Sequence, residues 1–559
     1  MTTTDPHALH VFDILAQTIR AEGVTTCFAL LGDANMNFAT RLAEQGCRMI
    51  YVRHEHCAAA AAMAHARKAG ETGFATVTCG PGLTQLMTAL PAAVRARIPL
   101  VILAGEAPLK SGWYNQGIDQ APFIKATGSA YHQMHWPARM PEQIRDAFLQ
   151  AERERRPVVL GVPFDLQAQP WISGAPLPRP SREILPKPGP IPPNPADLAA
   201  AADLVEKASR IVVMAGMGAV EAGAADACRR LAETCDALLA TTLPARGLFC
   251  EDPFNLNVAG GFSSKVARDC FAEADLVIAL GCSLTHHNAD AGRLWPKAKV
   301  LQIDLDPVAV SQGRPAAQHH LRCDARLGAE SLAASLAKRP PVWRSSELAA
   351  RIRSTPADDT PFDVRHGEHD PRDVVALLEA MLPADWQLVN SSGHCSYFFA
   401  QMPSRPYETF LTIREFGAIG NGVSFAMGVA TARPDDTVVL FDGDGSLLMH
   451  IQELETIRRH GMNILIIVLN DGAYGSEIHK LRAEGLSDEG AVFGRTDLAA
   501  IARGFGLQGH RVESLDALPD LIAGFARSGG AAVLDIPVSD QVVSPVIRRA
   551  HPPRPAGAG

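Results

Sequence analysis

Continuous apolar runs alternate along this chain with stretches of helical spacing. Two runs stand out, residues 437–441 and 463–469, and each feeds a turn made of Gly, Asp and other small or polar residues. Between them, residues 452–459 carry the spacing of an amphipathic helix. Strand, helix and strand in that order form a crossover, so both turns belong at the same edge of a parallel sheet. The alternation recurs upstream. Runs at 26–30, 74–78, 101–104 and 158–162 predict the strands of a first α/β stretch, and runs at 210–218, 274–281 and 300–306 those of a second. The third stretch opens with a strand at 387–390. A proline-dense segment, 170–195, and a polar one, 339–369, read as spacers. The expected fold class is α/β, with three doubly wound parallel-sheet domains at residues 1–175, 196–340 and 370–545, the first and third being candidates for related folds. The Pro/Ala/Gly-rich tail, 551–559, is expected to be loose.

Composition narrows the function classes. A chain of 559 residues exceeds what one core supports. Net charge is −8 with a pI near 6.2, which argues against a nucleic-acid binder and fits small-molecule substrates. No run approaches the roughly 20 apolar residues of a membrane span, and Met1-Thr2-Thr3-Thr4-Asp5-Pro6-His7 lacks the basic and apolar regions of a secretory signal. The 11 cysteines form no C-x-x-C pair, so buried thiols and a cytoplasmic setting are expected.

The chemistry concentrates in the two turns of the third stretch. Gly443-Asp444-Gly445-Ser446 and Asn470-Asp471-Gly472 combine small residues, which let backbone approach a diphosphate, with hard oxygen ligands for Mg²⁺ at Asp444 and Asp471. This pair resembles the thiamine diphosphate signature, GDG–spacer–NN, with Asp471 in place of the second Asn. The resemblance implies Mg²⁺ held by Asp444, Asp471 and the carbonyl of Ala473, with Gly445 and Ser446 donating N–H groups to the diphosphate. Ser391-Ser392-Gly393-His394 is similar to a diphosphate-contacting loop, with His394 either touching cofactor or serving as simple loop polarity. Glu415-Phe416-Gly417-Ala418-Ile419 resembles the segment against the pyrimidine ring, with the Gly417 carbonyl as acceptor and Ile419 bending the cofactor. In the first stretch Arg53-His54-Glu55 resembles the family's R-H-E motif. Glu55 would then hydrogen-bond pyrimidine N1′, over a loop formed by Cys79-Gly80-Pro81-Gly82.

The resemblance covers nearly the whole chain in the order pyrimidine-binding, central and diphosphate-binding domain. That order is similar to the pyruvate decarboxylase, acetolactate synthase and benzaldehyde lyase superfamily. It implies a homodimer as the minimal unit, with a homotetramer as its extension by symmetry. Subfamily features conflict. Gly32-Asp33-Ala34-Asn35 and Glu477 resemble the proton-shuttling carboxylates of simple 2-oxo acid decarboxylases. The adjacent His-His pair of those enzymes is missing, and the loop Trp113-Tyr114-Asn115-Gln116-Gly117-Ile118-Asp119-Gln120 is closer to the ligating enzymes, with Gln116 facing the intermediate. His394 or His479 remains available as a relay. The expectation is an acetolactate synthase-like carboligase that decarboxylates a small 2-oxo acid and passes the acyl unit to a carbonyl acceptor. The alternatives are a decarboxylase releasing an aldehyde and an aldehyde-ligating lyase. In the central domain, Gly216-Met217-Gly218-Ala219 is either a nucleotide fingerprint, leaving FAD or ADP as an option, or a tight strand–helix turn, with the balance on the turn. His286-His287 reads as a polar loop rather than a metal pair.

Overall fold

A computed structural model describes residues 9–173, 176–184, 188–308, 310–311, 314–402 and 405–553. The first seven residues, part of the 170–195 spacer and all but residues 551–553 of the expected loose tail lie outside the described residues. In the first domain β1 (Thr26–Ala29), β2 (Arg48–Tyr51), β3 (Gly73–Val77), β4 (Leu100–Glu106), β5 (Ala130–Gln133) and β6 (Pro157–Pro163) form a parallel sheet in the order β2-β1-β3-β4-β6-β5. The central sheet holds β7 (Ile211–Ala215), β8 (Leu238–Thr241), β9 (Asn255–Val258), β10 (Leu276–Leu280) and β11 (Lys299–Asp304). A two-strand ribbon, β12 (Val310–Ser311) with β13 (Arg314–Pro315), precedes its last strand, β14 (His319–Arg322), and the order is β14-β11-β10-β7-β8-β9. The third sheet comprises β15 (Gln387–Asn390), β16 (Phe410–Thr412), β17 (Val438–Gly443), β18 (Ile464–Asn470), β19 (Gln508–Arg511) and β20 (Ala531–Pro537), ordered β16-β15-β17-β18-β20-β19.

Counted from each sheet's own first strand, the first and third domains share the order 2-1-3-4-6-5, as the expected relation between them requires. The central domain follows 3-2-1-4-5-6, the dinucleotide-fold order. Central strands such as β4, β6 and β18 are buried along their whole length because helices cover both faces. The segment 339–369, expected to be only a spacer, carries the helix Ser346–Ser354, capped by Ser345, with Leu348 in the central core.

Two helices join the outer domains. Glu55–Ala69 is an alanine-rich helix buried from His56 to Ala66, and Gly422–Ala432 is buried through Thr431. Helices apolar all round belong inside a protein, and here each covers the other. A Cβ on Gly428 would stand 2.3 Å from the Ala61 carbonyl oxygen and 2.7 Å from the Ala64 Cβ, so the two backbones approach closely only because Gly428 has no side chain. One apolar cluster consequently runs from Phe28 and Ile102 through this pair to Leu440 and Ile466. The central domain is pinned to the third by Arg246, 2% exposed, which donates to the carbonyls of Phe399 (2.7 Å) and Met402 and lies 4.3 Å over the Phe410 ring. Burial pushes its guanidinium down to about 9, partly offset by the charge of Glu379.

Candidate active site

The third domain builds its half of the site where β17 and β18 end side by side. These strands pair in parallel with Gly443 opposite Leu469, so the turn after each opens at the same edge. Asp444 begins the short helix Asp444–Met449 and is 1% exposed, and its Oδ2 accepts from the Gly472 N–H at 2.8 Å. Asp471 Oδ1 accepts from the Ala473 N–H at 3.2 Å. Burial pushes the Asp444 carboxyl up to about 6. Burial, reinforced by the charge of Asp444, holds Asp471 well above the usual carboxylate range. Two enclosed carboxylates this close repel when both are ionised. A divalent cation between them, completed by the Ala473 carbonyl, removes that cost with hard oxygen donors alone. The donor chemistry therefore fits Mg²⁺.

A cavity opens in front of these carboxylates, lined by Gly443, Asp444, Gly445, Ser446, Asp471 and Ala473. Gly393, His394, Ile419 and Glu477 form further parts of its wall. Gly445 is required by an aromatic lid: a Cβ there would lie 2.8 Å from the Tyr474 ring, which meets Phe493 edge to face at 5.2 Å. The Ser446 hydroxyl accepts from the Gly420 N–H at 2.9 Å and stands 3.2 Å from the Ser391 hydroxyl, tying three loops together. Small residues, backbone amides and paired carboxylates in one cavity suit a diphosphate–metal head group.

Two expected contacts lie elsewhere. Asn470 is fully buried behind the turn, donating to the Thr496 carbonyl (3.1 Å) and Asp535 (2.8 Å), so it braces the Asp471 turn rather than lining the cavity. Gly417, at φ +73°, is exposed and outside the cavity wall. His394 does line the cavity, but its Nε2 accepts from the Ser544 N–H at 3.2 Å and its ring meets His479 at 4.6 Å. Burial holds both rings neutral, His479 down to about 4. Glu477 is exposed on the first turn of the helix Gly475–Glu484, 3.2 Å from Lys480.

The first domain gathers its own set. Glu55 opens the helix Glu55–Ala69 as a partly buried carboxyl, raised above its ordinary value by that burial. Gly82 packs against it: a Cβ there would be 3.2 Å from Glu55 Oε1. The 113–120 loop folds onto the same turn, with Cys79 Sγ donating to Gln116 Oε1 at 3.5 Å and the Gly80 N–H to Gln120 Oε1 at 2.9 Å. Tyr114 donates to Asp33 at 3.5 Å. Asp33, Glu55, Gly82 and Gln116 thus share one sheet edge. No first-domain residue lines the third-domain cavity.

The residues flanking Glu55 are engaged by this chain's own third domain. His56 Nε2 and Asn421 Oδ1 are 2.7 Å apart, and the His56 ring stacks on His450 at 4.8 Å. The Arg53 N–H donates to Glu453 at 2.9 Å. Sequence reasoning missed this joint, the Tyr474 lid and Asp442. Asp442 is completely buried, accepts from the Gly443 N–H at 3.0 Å, and is pushed up to about 7 by burial.

In the central domain the fingerprint glycines are accounted for by packing. A Cβ on Gly216 would lie 2.3 Å from the Gly281 carbonyl oxygen, and one on Gly218 2.7 Å from the Gly281 Cα. Two turns touch there, which is the tight-turn reading. His286 and His287 meet edge to face at 5.6 Å, and among the described residues no three His, Cys, Asp or Glu side chains group as a metal cluster.

Comparison with known proteins agrees with this geometry. Residues 9–123 match the N-terminal TPP binding domain of thiamine pyrophosphate enzymes, residues 198–332 their central domain, and residues 391–536 their C-terminal TPP binding domain. A probable acetolactate synthase large subunit from Methanocaldococcus jannaschii is 28% identical, over 96% of this chain and 93% of the relative. The acetolactate synthase isozyme 2 large subunit of Escherichia coli is 27% identical, over 94% and 95%. A probable 2-ketoarginine decarboxylase from Pseudomonas aeruginosa is 29% identical, over 92% of each chain.

Proposed function

This chain belongs to the thiamine pyrophosphate enzymes, and from that premise we propose that it is an acetolactate synthase-like carboligase acting on a small 2-oxo acid such as pyruvate. Thiamine diphosphate, when bound, would supply a carbanion equivalent able to take up the electron pair of a 2-oxo acid's carboxylate carbon bond. The chain's residues do the rest. Asp444, Asp471 and the Ala473 carbonyl would hold Mg²⁺, and the Gly445 and Ser446 amides would serve the diphosphate. Ile419 would shape the cofactor, and Glu55 would hold a proton at pyrimidine N1′. Fate then depends on the proton supply. A ready donor at the acyl carbon releases an aldehyde, whereas a slow one leaves that carbon free for a second carbonyl.

The observation that carries the carboligase reading is the 113–120 loop folded onto Cys79 and Gly80, with Gln116 at the contact and Asp33 facing a phenol instead of a histidine. A phenol whose proton is held above its usual range, here by burial first, is a slow donor. A second reading, a decarboxylase releasing aldehyde, is favoured by Glu477 in the cavity wall and by the 2-ketoarginine decarboxylase relative. The separation of Glu55 from the third-domain cavity supports a homodimer with sites shared between subunits, and a homotetramer by symmetry. The 11 free thiols, ten of them buried, fit a cytoplasmic enzyme. No helix among the described residues is long and apolar enough to cross a membrane.

The test is NMR analysis of products from pyruvate, Mg²⁺ and thiamine diphosphate, with and without an added aldehyde. Acetolactate or a mixed hydroxyketone is the expected product. Free acetaldehyde with little ligated product would replace this reading with the decarboxylase.

A further inference from the structure

A second cavity lies where all three domains meet, and it shares no residue with the thiamine half-sites. Arg67 and Lys68 reach it from the last turn of Glu55–Ala69, and Arg433 from the C-terminal cap of Gly422–Ala432. Pro244 of the central domain, with Tyr407 and Phe410 of the third, supplies the less polar wall. We propose that this junction is a binding site for a small doubly charged oxyanion, a phosphate ester or a dicarboxylate, held by Arg67, Lys68 and Arg433.

The three cations have no carboxylate partner within ion-pair distance among the described residues, although Glu408 also lines the cavity. Lys68 Nζ donates to the carbonyls of Glu408 (2.5 Å) and Phe410 (3.1 Å), which leaves its third proton for a ligand. Tyr407 spends its hydroxyl on the Met217 thioether at 3.8 Å, a weak acceptor that an oxyanion would outcompete. Arg67 uses one nitrogen on the Ala96 carbonyl at 2.8 Å. The plainer role for cations at two helix C-termini is to offset the helix dipoles. It does not explain an amine turned toward another domain's carbonyls, beside an arginine from a second helix and two aromatic rings. Enclosure, with Arg433 beside it, pushes the Lys68 ammonium down to about 8, partly offset by Glu408 and Asp436. A bound anion restores the proton. Lys68 lies on the same helix as Glu55, about 20 Å along it, so an occupant would touch the element that carries the activating carboxylate.

The test is isothermal titration of inorganic phosphate, glycerol 3-phosphate and succinate into protein saturated with thiamine diphosphate and Mg²⁺, so that the diphosphate cavity is filled. Saturable binding is expected, with proton uptake at pH 8 to 9 that disappears in Lys68→Met. Arg433→Ala, at an exposed position with no structural hydrogen bond, is expected to weaken binding about tenfold. A stronger response to the phosphates or to succinate identifies the ligand source. Absence of saturable binding to about 10 mM, or binding indifferent to both substitutions, overturns the proposal.

Discussion

The first and third domains share one strand order and differ in what they place at the open edge of the sheet. In the third, one edge turn carries the buried Asp444 and the other the half-buried Asp471, and both line a cavity with small residues around it. In the first, the edge presents a partly buried glutamate under a glycine and a polar loop, with exposed Asp33 beyond it. On the proposed function, the same topology yields a binding half and an activating half. A scaffold fixes where side chains can converge, and the residues at the strand ends decide the chemistry.

Substitutions should separate those halves. The largest effect is expected from Asp444→Ala, which removes a metal ligand and should weaken Mg²⁺-dependent cofactor binding by about a hundredfold or more, read by calorimetry. Glu55→Gln should spare that affinity and lower turnover by about 10²- to 10⁴-fold, read as loss of product and of cofactor C2 proton exchange. Equal losses of affinity in both variants would erase the distinction.

Much of this was legible along the chain, for reasons that differ by region. Strands buried on both faces, such as β4, β17 and β18, announce themselves as apolar runs. Asp444 and Asp471 end two such runs across one helix, so their convergence follows from connectivity. The short strands β2, β5, β9 and β16 have no such signal: each lies at the edge of its sheet, where a strand of three or four residues need not be buried on both faces as β1 is. The docking of Glu55–Ala69 on Gly422–Ala432 was also hidden. An alanine-rich segment and, far along the chain, an apolar one containing Gly428 each read as an ordinary helix until the Ala61 carbonyl is seen 2.3 Å from where a Gly428 Cβ would be.

That joint gives two smaller predictions. Gly428→Val should overpack it and cost about 1–3 kcal/mol, seen as a lower Tm. Acid should loosen it as well. His56 is held down to about 4, mainly by burial and then by His450, against an ordinary value of 6.5. Its neutral form therefore contributes stability above pH 6.5, and that contribution is lost as pH falls from 6.5 through 4. His56→Gln, which keeps a donor toward Asn421, should flatten the loss in thermal melts across that window. The smallest effect is expected from Gln116→Asn, a change of a few-fold in the ratio of ligated product to aldehyde with little change in total turnover.

Complementation between inactive variants tests the division of labour most directly. When Glu55→Gln and Asp444→Ala chains are refolded together, each mixed dimer should contain one site built from an intact first domain and an intact third domain. The account predicts recovery of about a quarter of wild-type activity from an equal mixture, since half the dimers are mixed and each has one working site. Activity no higher than that of either variant alone would contradict it and place both halves of the site within a single chain.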